Sequence, residues 1–327
     1  MKKLLVLFAA AAIIGGTTTT ALQAQVYVAA RAGYSFSVSP EVRRVTTPDL
    51  HTYGGLYDQT ANGATYSYKN IYGSAGAGLN GGVAVGYMFN EHFGVELAGN
   101  YFSGNQQDFY NGGTYSAGSY PASPNHGGRI YDYIRVFRVL PSLVVTGGSG
   151  KVSPYARFGI CLPLTGTLYS EVKDFTSRET TAGLTYERLD NATLETKGDF
   201  SLGFNSAIGV NIKLSDKLTL FGEAELITQG IKAKSSTVTS FNSVATAPFF
   251  TGGSFAVTID DLPTALKQVT YVDEITQNSN VVIPNSNAAD LKHPYVGSKS
   301  NSQPSEQLSQ IENFNSLGIN VGVKYRF

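Results

Sequence analysis

The side chains able to do chemistry are few and scattered. The histidines are His51, His92, His126 and His293, the one thiol is Cys161, and charges recur inside apolar stretches at Arg31, Glu96, Arg135, Arg138, Arg157, Glu223 and Glu225. A covalent or hydrolytic site needs a nucleophile held beside a base. The histidines stand in stretches that read as loops or turns, where a neighbouring Ser or Asp makes an ordinary solvated residue, so no catalytic site and no enzyme is expected. A lone cysteine can form no intramolecular disulfide and leaves no cysteine-based metal centre, and no metal or cofactor is expected. Gly73 to Gly82 is glycine-rich but runs into a strand pattern rather than a helix, so it is not read as a phosphate cradle. Net charge is zero with a pI of about 6.9, which gives no reason to expect nucleic acid as a partner. What remains is ion pairing. Charges of both signs withdrawn from water must find one another, because a lone buried charge is expensive.

The elements that would hold those charges are alternating segments. Val26, Val28, Ala30, Ala32, Tyr34, Phe36 and Val38 share one face, and Arg31 lies on the other. Leu79 to Phe89 sets Val83, Val85, Tyr87 and Phe89 against small residues, and after the turn Asn90-Glu91-His92 the chain returns as Phe93, Val95, Leu97 and Tyr101 with Glu96 on the second face. Ile130 to Val145 is less regular. Arg135 and Arg138 differ in parity and can share a face only across a bulge, for which Pro141 is a candidate. Ala156 to Leu164 alternates with Tyr155, Arg157 and Cys161, Phe200 to Ile212 with Ser201 to Lys213, and Leu218 to Leu226 with Glu223 and Glu225. Leu317 to Phe327 is the last segment. Alternation at period two over eight such segments predicts an all-β, antiparallel, up-and-down fold.

Spacing and composition choose the kind of fold. Connections after the second, fourth and sixth segments are tight turns, whereas those at about 39–78, 104–129, 170–197 and 235–313 are long. A soluble β-sandwich has shorter strands and no such two-sided rule. Long strands, short turns at one end and long connections at the other are the pattern of an eight-stranded transmembrane β-barrel with periplasmic turns and extracellular loops. Only 15% of residues are charged, against about 25% in ordinary soluble domains, and after residue 20 no apolar run approaches the ~20 residues of a membrane helix. Met1-Lys2-Lys3, the apolar run Leu4 to Ile14 and Leu22-Gln23-Ala24 read as a cleaved signal peptide over 1–24, leaving 25–327 as the barrel domain.

On this reading Val, Leu, Ile and Phe face lipid, and Tyr87, Phe89, Phe93 and Tyr101 form interfacial girdles where Trp is absent. Arg31, Glu96, Arg135, Arg157, Glu223 and Glu225 are expected to form a network across the lumen, with Glu223 and Glu225 bridging Arg31 and Arg157. Arg138 is the awkward candidate for the outer face; the proposed bulge would remove the conflict, and either Arg135 or Arg138 is open to join the inward charges. Phe255 to Asp260 and Gln268 to Val272 are candidates for a hairpin within the last loop.

With its signal segment, its eight alternating segments and the ending Leu317-Gly-Ile-Asn-Val-Gly-Val-Lys-Tyr-Arg-Phe327, the chain resembles the small outer-membrane barrels. These include the OmpA-type transmembrane domain, the OmpX- and OmpW-like proteins and the β-barrel domain common in Bacteroidetes. The resemblance implies a multi-pass barrel in the outer membrane of a Gram-negative cell envelope. It also implies outer-membrane lipid as solvent, and Val323, Tyr325 and Phe327 as a signal to the barrel-assembly machinery. OmpA-type proteins often add a peptidoglycan-binding domain, and that activity is not carried over to a chain whose last segment is its last strand. The function expected is a structural, adhesion or surface-binding role through the loops, toward an extracellular ligand or envelope protein. The alternatives are a narrow porin-like channel and an accessory of a secretion system.

Overall fold

The structure, a computed structural model, describes residues 25–327 apart from 39–40, 43–44, 47–51, 54, 60–65, 70–71, 74, 113–125, 149, 182–183, 247–253, 283–298 and 310. The segment read as a signal peptide, His51 and His293 lie outside the described residues.

Fifteen strands carry the argument: β1 (Gln25–Ser37), β2 (Gly78–Met88), β3 (Phe93–Gly104), β4 (Gln107–Gly112), β5 (His126–Thr146), β6 (Val152–Thr181), β7 (Leu184–Gly198), β8 (Gly203–Lys213), β9 (Leu218–Thr228), β10 (Gly230–Thr246), β11 (Ser254–Thr258), β12 (Gln268–Val272), β13 (Ser305–Leu308), β14 (Ile311–Asn313) and β15 (Ser316–Arg326). Short strands between Glu41 and Gly73 are left unlabelled. Eight of the fifteen close on themselves, all antiparallel, in the order β1, β2, β3, β5, β6, β8, β9, β15 and back to β1. Closure leaves no open sheet edge, which is the one way a sheet can stand in a solvent that offers no hydrogen bonds.

The pleat sorts the side chains. Val83, Ile208, Ile319 and Val321 point outward and are at least 60% exposed, each opposite an Ala or Gly on a neighbouring strand. An apolar belt of this extent has no place on a protein surrounded by water. Inward positions alternate small with large. A Cβ on Gly86 would lie 2.1 Å from the Tyr27 ring, and one on Gly322 would lie 2.4 Å from the Phe221 ring, so these glycines make room for the aromatic side chains that cross the bore. An eight-stranded barrel is just wide enough for its own side chains to fill.

The connections at the end opposite the turns are largely sheet rather than loop. β5 and β6 continue past the wall, and β6 is followed by β7, which pairs with β10. The far edge of β10 takes β14, β12 and β11 in succession, and β13 adds to β12 in parallel. The stretches Phe255 to Asp260 and Gln268 to Val272 therefore do not form a hairpin with each other: each pairs with β10, which offers them one continuous edge.

Candidate functional site

The barrel wall brings five of the six residues expected in the bore into one buried cluster. Arg157 on β6 donates to Glu223 Oε1 at 2.8 Å, to Glu225 Oε1 at 2.9 Å and to Glu96 Oε1 at 3.3 Å. Arg31 on β1 pairs with Glu96 and reaches Glu223 Oε1 at 3.3 Å. The carboxylates also accept from neutral donors. Tyr27 bonds Glu96 at 2.9 Å, Tyr155 bonds Glu223 at 2.7 Å, and the Asn320 amide bonds both Glu223 (3.1 Å) and Glu225 (3.0 Å). All of these side chains are buried. Such an arrangement can cross-brace five strands and obstruct the bore. It lacks the nucleophile–base pair that covalent chemistry needs.

Arg135 is the exception, and it corrects the sequence reading. It lies on the outer face, over the rings of Tyr133 (5.5 Å) and Tyr169 (5.7 Å). Arg138, the awkward candidate for the outer face, is wholly buried inside, where it donates to Asn100 Oδ1 at 3.0 Å and its guanidinium lies 5.1 and 5.3 Å from the Phe102 and Phe314 ring centres. The reason is where the bulge falls. β5 runs without interruption from Arg135 to Arg138, so parity separates them. The extra residue is Leu164 on the partner, where Phe137↔Thr165 gives way to Arg138↔Pro163, and Pro141 is not its site.

Tyr27, Tyr155, Asn320 and Lys324 were not among the expected network residues. Their parity faces the bore, so alternation could have found them; the neutral side chains of Tyr27, Tyr155 and Asn320 draw no attention in a search for charges, whereas Lys324 is a charge at inward parity that the search passed over. Lys324 donates to Asn211 at 3.0 Å and stands 4.1 Å from the Tyr155 ring centre. Cys161 is buried with its sulfur 3.7 Å from Gln229 Oε1.

At the two ends of the wall, Tyr87, Phe93 and Tyr101 project outward and are 40–54% exposed, and Phe89 packs edge-on against Tyr87 at 5.4 Å. Val323, Tyr325 and Phe327 follow one another along the outer face of the last strand, with the two rings 5.4 Å apart. His92 sits in the turn between β2 and β3 with its Nδ1 3.1 Å from the Thr146 carbonyl.

Above the wall the outer face of β5 and β6 becomes a ladder of rings and charges. Tyr131, Tyr133 and Tyr169 stack at 6.4 and 4.9 Å, Arg129 lies over Tyr131, and the Tyr131 and Tyr133 hydroxyls both donate to Glu171. Partial burial disfavours the Glu171 carboxylate, but those hydrogen bonds and Lys173 outweigh it and hold the carboxyl below its usual range. Burial first, and then the same contact with Glu171, pushes the Tyr133 hydroxyl up to about 12.

No protein-family model matches the chain, and no curated protein is significantly similar to it. Among solved structures, it is similar to a major outer membrane protein from Thermus thermophilus at 13% identity and a TM-score of 0.30, over 93% of this chain and 100% of that one. The outer-membrane expressed OmpT of Vibrio cholerae aligns at 10% identity and a TM-score of 0.09, over 95% and 99%.

Proposed function

We propose that the chain spans a bacterial outer membrane as a sealed barrel, and that it acts through the sheet and loops raised above the outer rim. Its role would be structural, adhesive or surface-binding toward an extracellular ligand or envelope protein, without catalysis. The membrane reading is supported by the closed wall and its apolar belt, with the tight turns in the periplasm and the sheet outside. Val323, Tyr325 and Phe327 would be what the assembly machinery reads. The observation that carries the sealed reading is the buried cluster of Arg31, Arg157, Glu96, Glu223 and Glu225 across the bore. A paired network leaves no polar path for solutes, and partner specificity then falls to the raised surface.

Refolded protein whose migration on gels changes with heating would be placed in a planar bilayer and its ion conductance recorded. The expected result is silence. Steady openings of the unmodified protein would overturn the sealed barrel in favour of a narrow channel.

A further inference from the structure

The barrel wall opens at one seam. Pairing of β6 with β8 ends at Cys161↔Gly203 and pairing of β6 with β7 begins at Thr167↔Lys197. An advance from 161 to 167 on one side matches a retreat from 203 to 197 on the other, so β7 and β8 are one line in one register. Residues 162–166 and 198–202 part and rejoin without a shift. Asp199 stays tied to the opposite neighbour through its N–H on the Lys232 carbonyl (2.7 Å), while Phe200 and Leu202 turn outward, 68% and 62% exposed. The seam is made of residues suited to parting: Pro163 has no N–H to lose and Gly166 no side chain to place.

Behind the parted strands is a cavity of about 170 Å³, with Ile134, Leu168, Ile231 and Phe314 on its apolar side, Asp199, Glu312 and Asn313 at its polar margin, and Leu164 and Phe200 at its mouth. Phe314 is buried and packs edge-on against Phe102 at 4.9 Å, so the inner wall is firm. Arg135 stands outside, directly opposite Thr167 at the end of the seam. Climbing the outer face of β5 from the turn, Val145, Leu143, Pro141, Val139 and Phe137 are apolar, and Arg135 is the first charge. Among the described residues no carboxylate forms a salt bridge with it.

We propose that this slot binds one acyl chain of a phosphate-bearing membrane lipid whose anionic head rests on Arg135. The inference depends on the membrane reading above. The mouth is continuous with the apolar belt, so the medium that meets it is hydrocarbon, and the cavity has room for a stretch of chain but not for a folded segment. The apolar side of a cavity left empty forfeits contacts along its lining, and an arginine at the edge of hydrocarbon gains from an anion beside it.

The chain contains no tryptophan, so one introduced residue reports alone. Phe314→Trp places it inside the slot and Phe200→Trp at the mouth, each refolded into phosphatidylglycerol vesicles with plain or dibrominated acyl chains. Bromine should remove most of the emission at both positions, and Gly166→Leu or Arg135→Gln should restore much of it at position 314 only. Should Phe314→Trp fail to fold, Ile231→Trp serves the same purpose. Emission lost at the mouth but kept inside would overturn the slot and leave the membrane barrel standing, as would inner quenching that neither second substitution reduces. Emission kept at both positions would overturn the membrane reading and the slot with it.

Discussion

The β5–β6 hairpin passes through two surroundings. In its lower part Phe137, Leu143, Phe158 and Ile160 face outward, and Arg138 and Arg157 face inward. In its upper part the outward residues are Arg129, Tyr131, Tyr133, Tyr169, Glu171 and Lys173, and the inward ones are Ile130, Asp132, Ile134, Val136 and Leu168. The pleat continues through both, but its polarity inverts near Arg135. Below that point the hairpin is apolar outside and charged within, as a wall in lipid must be. Above it the hairpin has the polar exterior and, Asp132 apart, the apolar interior of a sheet in water. On the membrane reading proposed above, the height at which the inversion falls is where one solvent gives way to the other, and it can be probed from both sides.

The largest effect should come from the interior of the lower part. Glu223 accepts from Arg31, Arg157, Tyr155 and Asn320. Glu223→Ala would leave two buried guanidinium groups short of their anion, and breaking a buried pair by removing one partner costs about 3–5 kcal/mol. Reversible unfolding in urea from lipid vesicles would measure it. A loss below about 1 kcal/mol would mean that water reaches the bore and solvates the cluster, since exposed ion pairs are worth no more than that.

Next comes the outer face. Ile319→Arg lies in the middle of the belt and should cost about 2–4 kcal/mol at bilayer mid-depth. Thr237→Arg lies on an exposed position of β10 in the upper sheet and should change stability by no more than about 0.5 kcal/mol. The same urea titration reads both. Equal costs would erase the distinction between the two parts and remove the membrane from the picture.

Alternation made the eight wall strands legible because the pleat carries its parity without interruption for a dozen residues. It failed where the cause lay on another strand. Arg135 and Arg138 exchanged faces because the bulged residue is Leu164 on β6, which β5 does not record. Phe200 and Leu202 continue the alternation of β8, yet both leave the wall where the seam parts. The upper sheet was hidden for a different reason. Strands β7 and β10 are rich in Thr, Ser, Asn and Glu, which read as loop, and they are strands because they pair with each other across a long stretch of chain, from Gly198↔Ala233 to Glu187↔Thr246. The core of the candidate site was legible because unlike charges at inward parity must pair. Its neutral members were not.

The smallest effect tests the upper part alone. Glu171 is held ionised by the Tyr131 and Tyr133 hydroxyls and by Lys173, and its carboxyl lies below the usual range. A depressed carboxyl contributes stability that is fully present above its unfolded value and is lost as pH falls through its folded value. Amide hydrogen exchange along residues 129–135 and 167–173 should therefore quicken as pH drops below about 4, relative to the intrinsic exchange rate at each pH. Glu171→Gln should flatten that added dependence at a cost near neutral pH of about 0.5 kcal/mol or less, because the pair is partly solvated and screened. Exchange within β1, β2 and β15, which lack this ladder, should not be altered by the substitution. If Glu171→Gln changed protection in those strands as well, the two parts would unfold as one cooperative unit, and the inversion of polarity at Arg135 would mark a change of solvent but not a boundary of stability.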